Sequence, residues 1–237
     1  MKPLSLLFDF GGTLDTDGRH WSVMFRTGYC LNDIRLGDEE FARAYVEAER
    51  LCCDGRIHHS DGLFATLLHQ TKAQSELLSK GRTEAEKARL RDAAVKVARW
   101  SLREVGEAIH AVRPLLVALH DRYRLGLISN FYGNLAAVCD ELGILPMFDC
   151  VIDSDCVGCR KPGNRIFRVA MEALGDEPHD VAMIGDSYEN DIIPARQIGC
   201  RTIWLEGEGW KKPGSRADAD FIIHSVLELP AVLETMK

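Results

Sequence analysis

From Pro114 onward, short apolar runs alternate with helical patterns, and this alternation constrains the fold more than any other feature of the chain. Runs at 124–129, 150–153, 180–185, 201–205 and 221–223 read as strands. Helices are expected from Pro114 to about His120 and over 134–142, 165–174, 190–198 and 225–235. Strands this uniformly apolar, joined by helices, form a parallel sheet covered on both faces. Ligands of such sheets bind beyond the carboxyl ends of the strands.

Residues 4–9 supply one further strand, which ends in Asp9 and runs into Gly11 and Gly12. From about Thr16 to Arg113 there is no strand pattern. Phe41, Tyr45, Ala48 and Leu51 recur at helical spacing. Thr83 and Glu86 have the spacing of a capping box, ahead of a long face carrying Leu90, Ala94, Val97, Ser101 and Val105. The expected organisation is a doubly wound, Rossmann-like α/β core from 1–15 and 114–237, with an all-helical cap inserted at 16–113. A length of 237 residues suits one domain with an insert, and 46 % hydrophobic residues suffice for a core.

A net charge of −7 without any Lys/Arg cluster excludes a nucleic-acid surface; the pair Lys211–Lys212 is too short to make one. Asp9 interrupts the apolar run from Leu4 to Phe8 before a signal sequence forms. No stretch reaches the ~18 apolar residues of a membrane span. The eight cysteines are then expected as reduced thiols in a cytoplasmic protein. Oligomeric state is left open.

Three strands end in chemistry. The first ends in Asp9, the second in Ser129–Asn130, and the fourth in Gly185–Asp186–Ser187 followed by Asn190–Asp191, with Arg160–Lys161–Pro162 between them. Each alone is ordinary turn or cap chemistry. Together they converge on one sheet edge. Paired carboxylates make a hard oxygen site suited to Mg²⁺, and a hydroxyl and a lysine beside them suit a phosphoryl group.

Asp9-Phe10-Gly11-Gly12-Thr13-Leu14-Asp15, then Ser129-Asn130, Lys161-Pro162 and Gly185-Asp186-Ser187 with Asn190-Asp191 resemble, in order and spacing, the four motifs of the haloacid dehalogenase superfamily. The helical insert after the first motif is similar to that of its helical-cap branch. The resemblance implies a hydrolase of the phosphatase type acting on a small phosphorylated metabolite. It implies Asp9 as a nucleophile forming an aspartyl-phosphate, and Mg²⁺ held by Asp9, Asp186 and the carbonyl of Gly11, with Asp191 in support. It implies Thr13, Ser129 and Lys161 as groups around the transferring phosphoryl, and Asn130 as lining that site and orienting the nucleophile. One departure stands out. The family's phosphatases carry a second Asp two residues after the nucleophile, as acid and then base. Here that position is Gly11, so a slow enzyme with a persistent intermediate is expected. Asp15 belongs to the following turn and is a poor substitute.

Other readings follow from the same departure: a dehalogenase-like enzyme, in which Asp186 and Asp191 would have no use; a phosphonate-cleaving enzyme, which needs an early cap lysine, whereas none occurs between Lys2 and Lys72; and a binding protein for phosphorylated ligands. The tripeptide Asp9-Phe10-Gly11 is not a kinase signature, because only eight residues precede it. Cys156-Val157-Gly158-Cys159 is read as structural. So are Cys52, Cys53, His58 and His59, whose spacing is poor for zinc. Asp54–Gly55 marks a turn and Ser60 a helix N-cap, so Arg56 and His58 sit on a loop that either reaches substrate or is solvated. Arg19, His20 and Trp21 enter the cap, where they close over the site or, for Trp21, fill the cap core.

Overall fold

The computed structural model describes residues 4–209 and 219–236; Lys211–Lys212 falls outside them. Strand β1 (Ser5–Phe8) is followed by a tight turn, Phe10–Leu14, and four helices: α1 (Trp21–Leu31), α2 (Asp38–Cys53), α3 (Leu63–Leu78) and α4 (Glu84–His120). No strand interrupts them among the described residues. Alternation then begins with β2 (Arg124–Ser129), α5 (Leu135–Glu141), β3 (Cys150–Asp153), the single turn α6 (Ser154–Val157) and α7 (Asn164–Leu174). It continues through β4 (Val181–Gly185), α8 (Ile193–Gln197), β5 (Arg201–Leu205), β6 (Phe221–Ile223) and α9 (Leu229–Thr235).

The six strands form one parallel sheet in the order β3-β2-β1-β4-β5-β6. Both neighbours of β1 are later strands, so the strand order reverses there, which is where such sheets open a crevice. Every residue of β1 and β4 is buried. Successive side chains go to opposite faces. Leu6, Phe8, Leu125, Leu127 and Ile184 pack on one side with α4. Leu7, Ile128 and Met183 pack on the other with Phe167 and Met171 of α7. The first of these cores is continuous with the insert through Met24, Phe25, Tyr29, Leu63 and Val97. The sheet and the helical insertion thus match the sequence expectation.

Two local expectations need correction. Pro114 does not divide two helices: α4 runs unbroken through it for 37 residues. A proline in a helix removes one donor and crowds the preceding turn. Here the orphaned carbonyl belongs to His110, at the solvent face, and the buried stripe Ile109, Val112, Leu116, Leu119 continues across the proline. Burial of that stripe outweighs one lost hydrogen bond. Ser60 is not an N-cap either; α3 starts at Leu63 with Gly62 before it. The turn at Asp54–Gly55 is present, with Gly55 at φ +79°. The capping box closes as expected: Glu86 Oε2 accepts from the Thr83 backbone at 2.8 Å, and Thr83 Oγ1 accepts from the Glu86 backbone at 3.4 Å.

The continuity of α4 has a measurable consequence. Leu116 is fully buried while Val117, one residue on, is 45 % exposed. Leu116→Ala should lower unfolding free energy by about 2–5 kcal/mol. Val117→Ala should stay within about 0.5 kcal/mol. Urea unfolding of both variants checks the register; comparable losses would show that the helix does not hold its face beyond Pro114.

Candidate active site

Three strand ends deliver the site. Asp9 leaves β1, its backbone N–H donating to Ile184 O at 2.9 Å, so the residue is pinned between β1 and β4. Lys161 comes from the loop before α7. Its Nζ donates to Asp9 Oδ1 and Asp191 Oδ1, both at 2.6 Å, and to Ile128 O at 3.2 Å. Only 4 % of Lys161 is exposed. Burial alone would lower the lysine pKa, but the two carboxylates more than offset it, and the net shift is upward. Asp191 is fully buried, and burial pushes its carboxyl up to about 7 against the pull of Lys161. Burial also raises Asp186, reinforced by the charges of Asp9 and Asp191.

Thr13 joins the first strand end to the fourth. Its Oγ1 accepts from the Asp186 backbone at 3.0 Å and lies 3.1 Å from Asp186 Oδ1 and 3.3 Å from Asp9 Oδ2. One hydroxyl proton serves only one of those carboxylates at a time. Trp204, at the end of β5, donates its indole N–H to Asp186 O at 3.0 Å. Ser187 N donates to Asp191 Oδ2 at 3.1 Å. Asp9, Asp186 and Asp191 each present one oxygen, all within 4.8 Å of one another. Three carboxylates face one lysine, which leaves an excess of buried negative charge. An all-oxygen donor set of this kind fits a hard divalent cation such as Mg²⁺.

Asp9, Lys161, Asp186 and Asp191 line one side of a cavity of about 270 Å³. Gly11, Ser129, Asn130, Arg160 and Ser187 share that side; His20, Trp21, Tyr45 and Glu49 from the insert close the other, with Phe131 and Tyr132. Glu49 Oε2 accepts from Tyr132 at 2.7 Å and Oε1 from Gln70 at 2.5 Å, and burial raises its pKa. Gln70 also contacts the Tyr132 hydroxyl.

A model of the haloacid dehalogenase-like hydrolase family matches residues 5–199. The chain is a haloacid dehalogenase-like hydrolase. It is 28 % identical over 154 residues to the pyrimidine 5'-nucleotidase YjjG of Escherichia coli, covering 64 % of this chain and 66 % of that protein. It is 32 % identical over 114 residues to the phosphoglycolate phosphatase of Caulobacter vibrioides, covering 48 % of each. The matches therefore span about half to two thirds of these curated relatives. Among solved structures, a putative HAD-hydrolase from Bacillus subtilis, YfnB, crystallised with magnesium, superposes with a TM-score of 0.59 at 20 % identity, covering 98 % of this chain and all of that one.

The hydrolase places some expected residues differently from their sequence reading. Asn130 lines the cavity, yet its amide bonds go to the Lys161 backbone, donating at 2.9 Å and accepting at 2.8 Å. It therefore aims the lysine and does not touch Asp9 through those bonds. Thr13 is fully buried and ties carboxylates together behind the cavity wall. Arg56 and His58 do not line the cavity. Arg56 is exposed and 4.0 Å from Glu76; His58 begins a turn closed by Asp61. Their loop leaves α2 beyond the turn of helix that faces the site, and Glu49 on that helix stands there instead. Asp15 is also outside the cavity: its oxygens accept from Gly12 N at 2.7 Å, Thr16 at 3.1 Å and Trp21 at 2.5 Å. All eight cysteines are free thiols, and no Cys/His metal group occurs among the described residues. Glu49 and Arg160 were not assigned from the sequence. A carboxylate four residues after Tyr45, on an otherwise apolar helix face, was the available signal.

Gly11 and Gly12 differ in what they tolerate. Gly11 has ordinary backbone angles, φ −74° and ψ 113°, and a Cβ there meets nothing within 4 Å. Gly12 has φ +93°, and a Cβ would lie 2.5–2.8 Å from the Asp186 carboxyl group. Gly11→Ala should therefore leave stability unchanged or raise it by about 0.4–1 kcal/mol. Gly12→Ala should lower it by roughly 1–3 kcal/mol. Thermal melts of the two variants give the comparison.

Proposed function

We propose that this hydrolase is of the phosphatase type, acting on a small phosphorylated metabolite through an aspartyl-phosphate at Asp9, with Mg²⁺ held by Asp9, Asp186 and Asp191 beside Gly11. The observation that carries this reading is the Lys161 ammonium seated 2.6 Å from both Asp9 and Asp191 at the switch point of the sheet. Lys161 engages Asp9 Oδ1 closely, while Oδ2 has only the long contact to Thr13. Oδ2 is thus the oxygen placed to attack phosphorus. Lys161 orients that carboxylate and offers positive charge to the phosphoryl oxygens. Ser129, buried at the end of β2 and lining the cavity, adds a hydroxyl donor. Bound Mg²⁺ supplies neutralisation of the phosphoryl charge. The nucleotidase and phosphatase names of the relatives agree with this class.

The leaving group then lies toward the insert, against Trp21, Tyr45, Phe131 and Tyr132. In this reading residues 16–113 act as the cap and 1–15 with 114–237 as the core. Closure of the cap excludes water from the phosphoryl site.

Phosphate release from a panel of phosphorylated metabolites, with and without Mg²⁺, tests the proposal. Asp9→Asn should reduce release to background. Asp186→Asn should require more than about 10-fold more Mg²⁺ for half-maximal rate. A variant at position 186 with an unchanged Mg²⁺ response would mean that the metal is held elsewhere.

A further inference from the structure

Cleaving an ordinary phosphate ester requires a proton for the leaving oxygen, because an alkoxide or a phenoxide departs poorly without one. Position 11 offers no proton. Gly11 lines the cavity, and a Cβ there would meet nothing within 4 Å, so this part of the wall is backbone beside open space. The ionisable side chains that line the cavity among the described residues are engaged elsewhere. Lys161 spans Asp9 and Asp191, and Asp191 also accepts from Ser187. Glu49 accepts hydrogen bonds at both oxygens, from Tyr132 and from Gln70. Burial raises Tyr45 and Tyr132 well above an ordinary phenol, so neither gives up a proton readily. His20 has its Nδ1 2.7 Å from Ser22 Oγ, and burial lowers its pKa, so the neutral ring prevails at neutral pH.

A leaving group of low basicity removes that requirement. A carboxylic acid has a pKa of about 4, roughly six below a phenol such as the tyrosine side chain, and its carboxylate departs without a proton. The walls of the cavity suit such a group. Trp21, Phe131 and Tyr132 present a continuous aromatic surface, with ring centroids 6.1 Å apart for the first pair and 5.1 Å for the second. Arg160 also lines the cavity; its side chain bonds to Cys53 at the end of α2, and its charge reaches Glu49. A guanidinium is thus carried to the cap side, and its paired N–H donors match the two oxygens of a carboxylate.

We propose that the substrates of this hydrolase are acyl phosphates, the mixed anhydrides of a carboxylic acid and phosphate, with an apolar or aromatic acyl group; this rests on the phosphatase reading above. In the first half-reaction a bond forms between the Asp9 carboxylate oxygen and phosphorus. The bond from phosphorus to the acyl oxygen breaks, and its electron pair stays on the departing carboxylate. One carboxylate has replaced another on phosphorus, so the step is close to balanced in energy and no proton moves. In the second, the oxygen of a water molecule bonds to phosphorus, and one of its protons passes to a phosphoryl oxygen. The bond from phosphorus to Asp9 breaks, and its electron pair returns to the carboxylate. The products are a carboxylate and dihydrogen phosphate, formed from the acyl phosphate dianion and water with no proton taken from the protein. A glycine at position 11 is then no defect, because neither step calls on a side chain there.

The test compares benzoyl phosphate, 4-nitrophenyl phosphate and phenyl phosphate with Mg²⁺ present, three substrates of similar shape whose leaving groups rise in basicity in that order. After subtraction of the spontaneous rates, kcat/KM of the native protein should fall by more than about 10²-fold from benzoyl phosphate to phenyl phosphate. In ¹⁸O-labelled water the label should enter phosphate and not benzoate. Gly11→Asp places a carboxyl where the wall is open, and should narrow the gap between those two substrates by about 10-fold or more, chiefly by raising phenyl phosphate. If the native protein hydrolyses phenyl phosphate about as well as benzoyl phosphate, the assignment is overturned while the phosphatase reading stands. Label in benzoate overturns it too, as does an unchanged gap in a Gly11→Asp variant whose thermal melt shows it folded. Should that variant not fold, the native series and the label decide alone. If the native protein releases phosphate from none of the three, the phosphatase reading falls and the assignment with it.

Discussion

Lys161 places one positive charge between Asp9 and Asp191, in a pocket where almost no water reaches any of the three. That contact joins β1 to the loop before α7, 152 residues away in sequence, and that loop to the turn after β4, 30 residues further on. Removing one partner of a buried ion pair leaves the other charge uncompensated and costs roughly 3–5 kcal/mol. The surrounding bonds keep the lysine from finding another partner. Asn130 grips its backbone from both sides, Ile128 accepts a third Nζ hydrogen bond, and Ser187 fixes the far oxygen of Asp191. The carboxylates therefore stay close to one another despite their mutual repulsion, and the same repulsion makes the place attractive to a divalent cation.

A second polar knot joins insert and core. Glu49 of α2, Gln70 of α3 and Tyr132 after β2 meet over the cavity. Nearby, Asn134 donates to Asp61 O and Thr66 Oγ1, both at 2.8 Å, and Glu141 accepts from Leu63 N at 2.6 Å. Residues 61 to 66, the end of the loop and the first turn of α3, are thus bound to both ends of α5. Thr66, Gln70, Asn134 and Tyr132 are buried, so separating these partners would leave polar groups unsatisfied away from water.

Most of the sheet was legible because each signal is local. A strand buried on both faces is an apolar run, and the polar residue that closes it marks its carboxyl end. Asp9, Ser129 and Asp186 could be read this way without knowing what lies beside them. Partnerships across the chain had no such signal. Asn130 meets Lys161 from 31 residues away and Tyr132 meets Glu49 from 83, and nothing in either local sequence announces the other. Arg56 and His58 follow α2 in order, but the direction of a helix face decides what reaches the site. Pro114 reads as a boundary because a proline weakens a helix locally. The buried stripe on both sides of it is a longer-range effect, and it prevailed.

Helix α4 begins in the insert and ends against the sheet without a break, so it works as a lever arm. At 1.5 Å per residue its 37 residues span about 55 Å. A rod of that length turns small angles into large travel: a tilt of roughly 5° where Leu116 and Leu119 rest on the core sweeps the far end through about 5 Å. Pro114 puts the one missing backbone bond close to that fulcrum, where the least bending is needed for the greatest displacement. A tilt of this kind would need no melting of the insert, only a slight change in the seat of one helix.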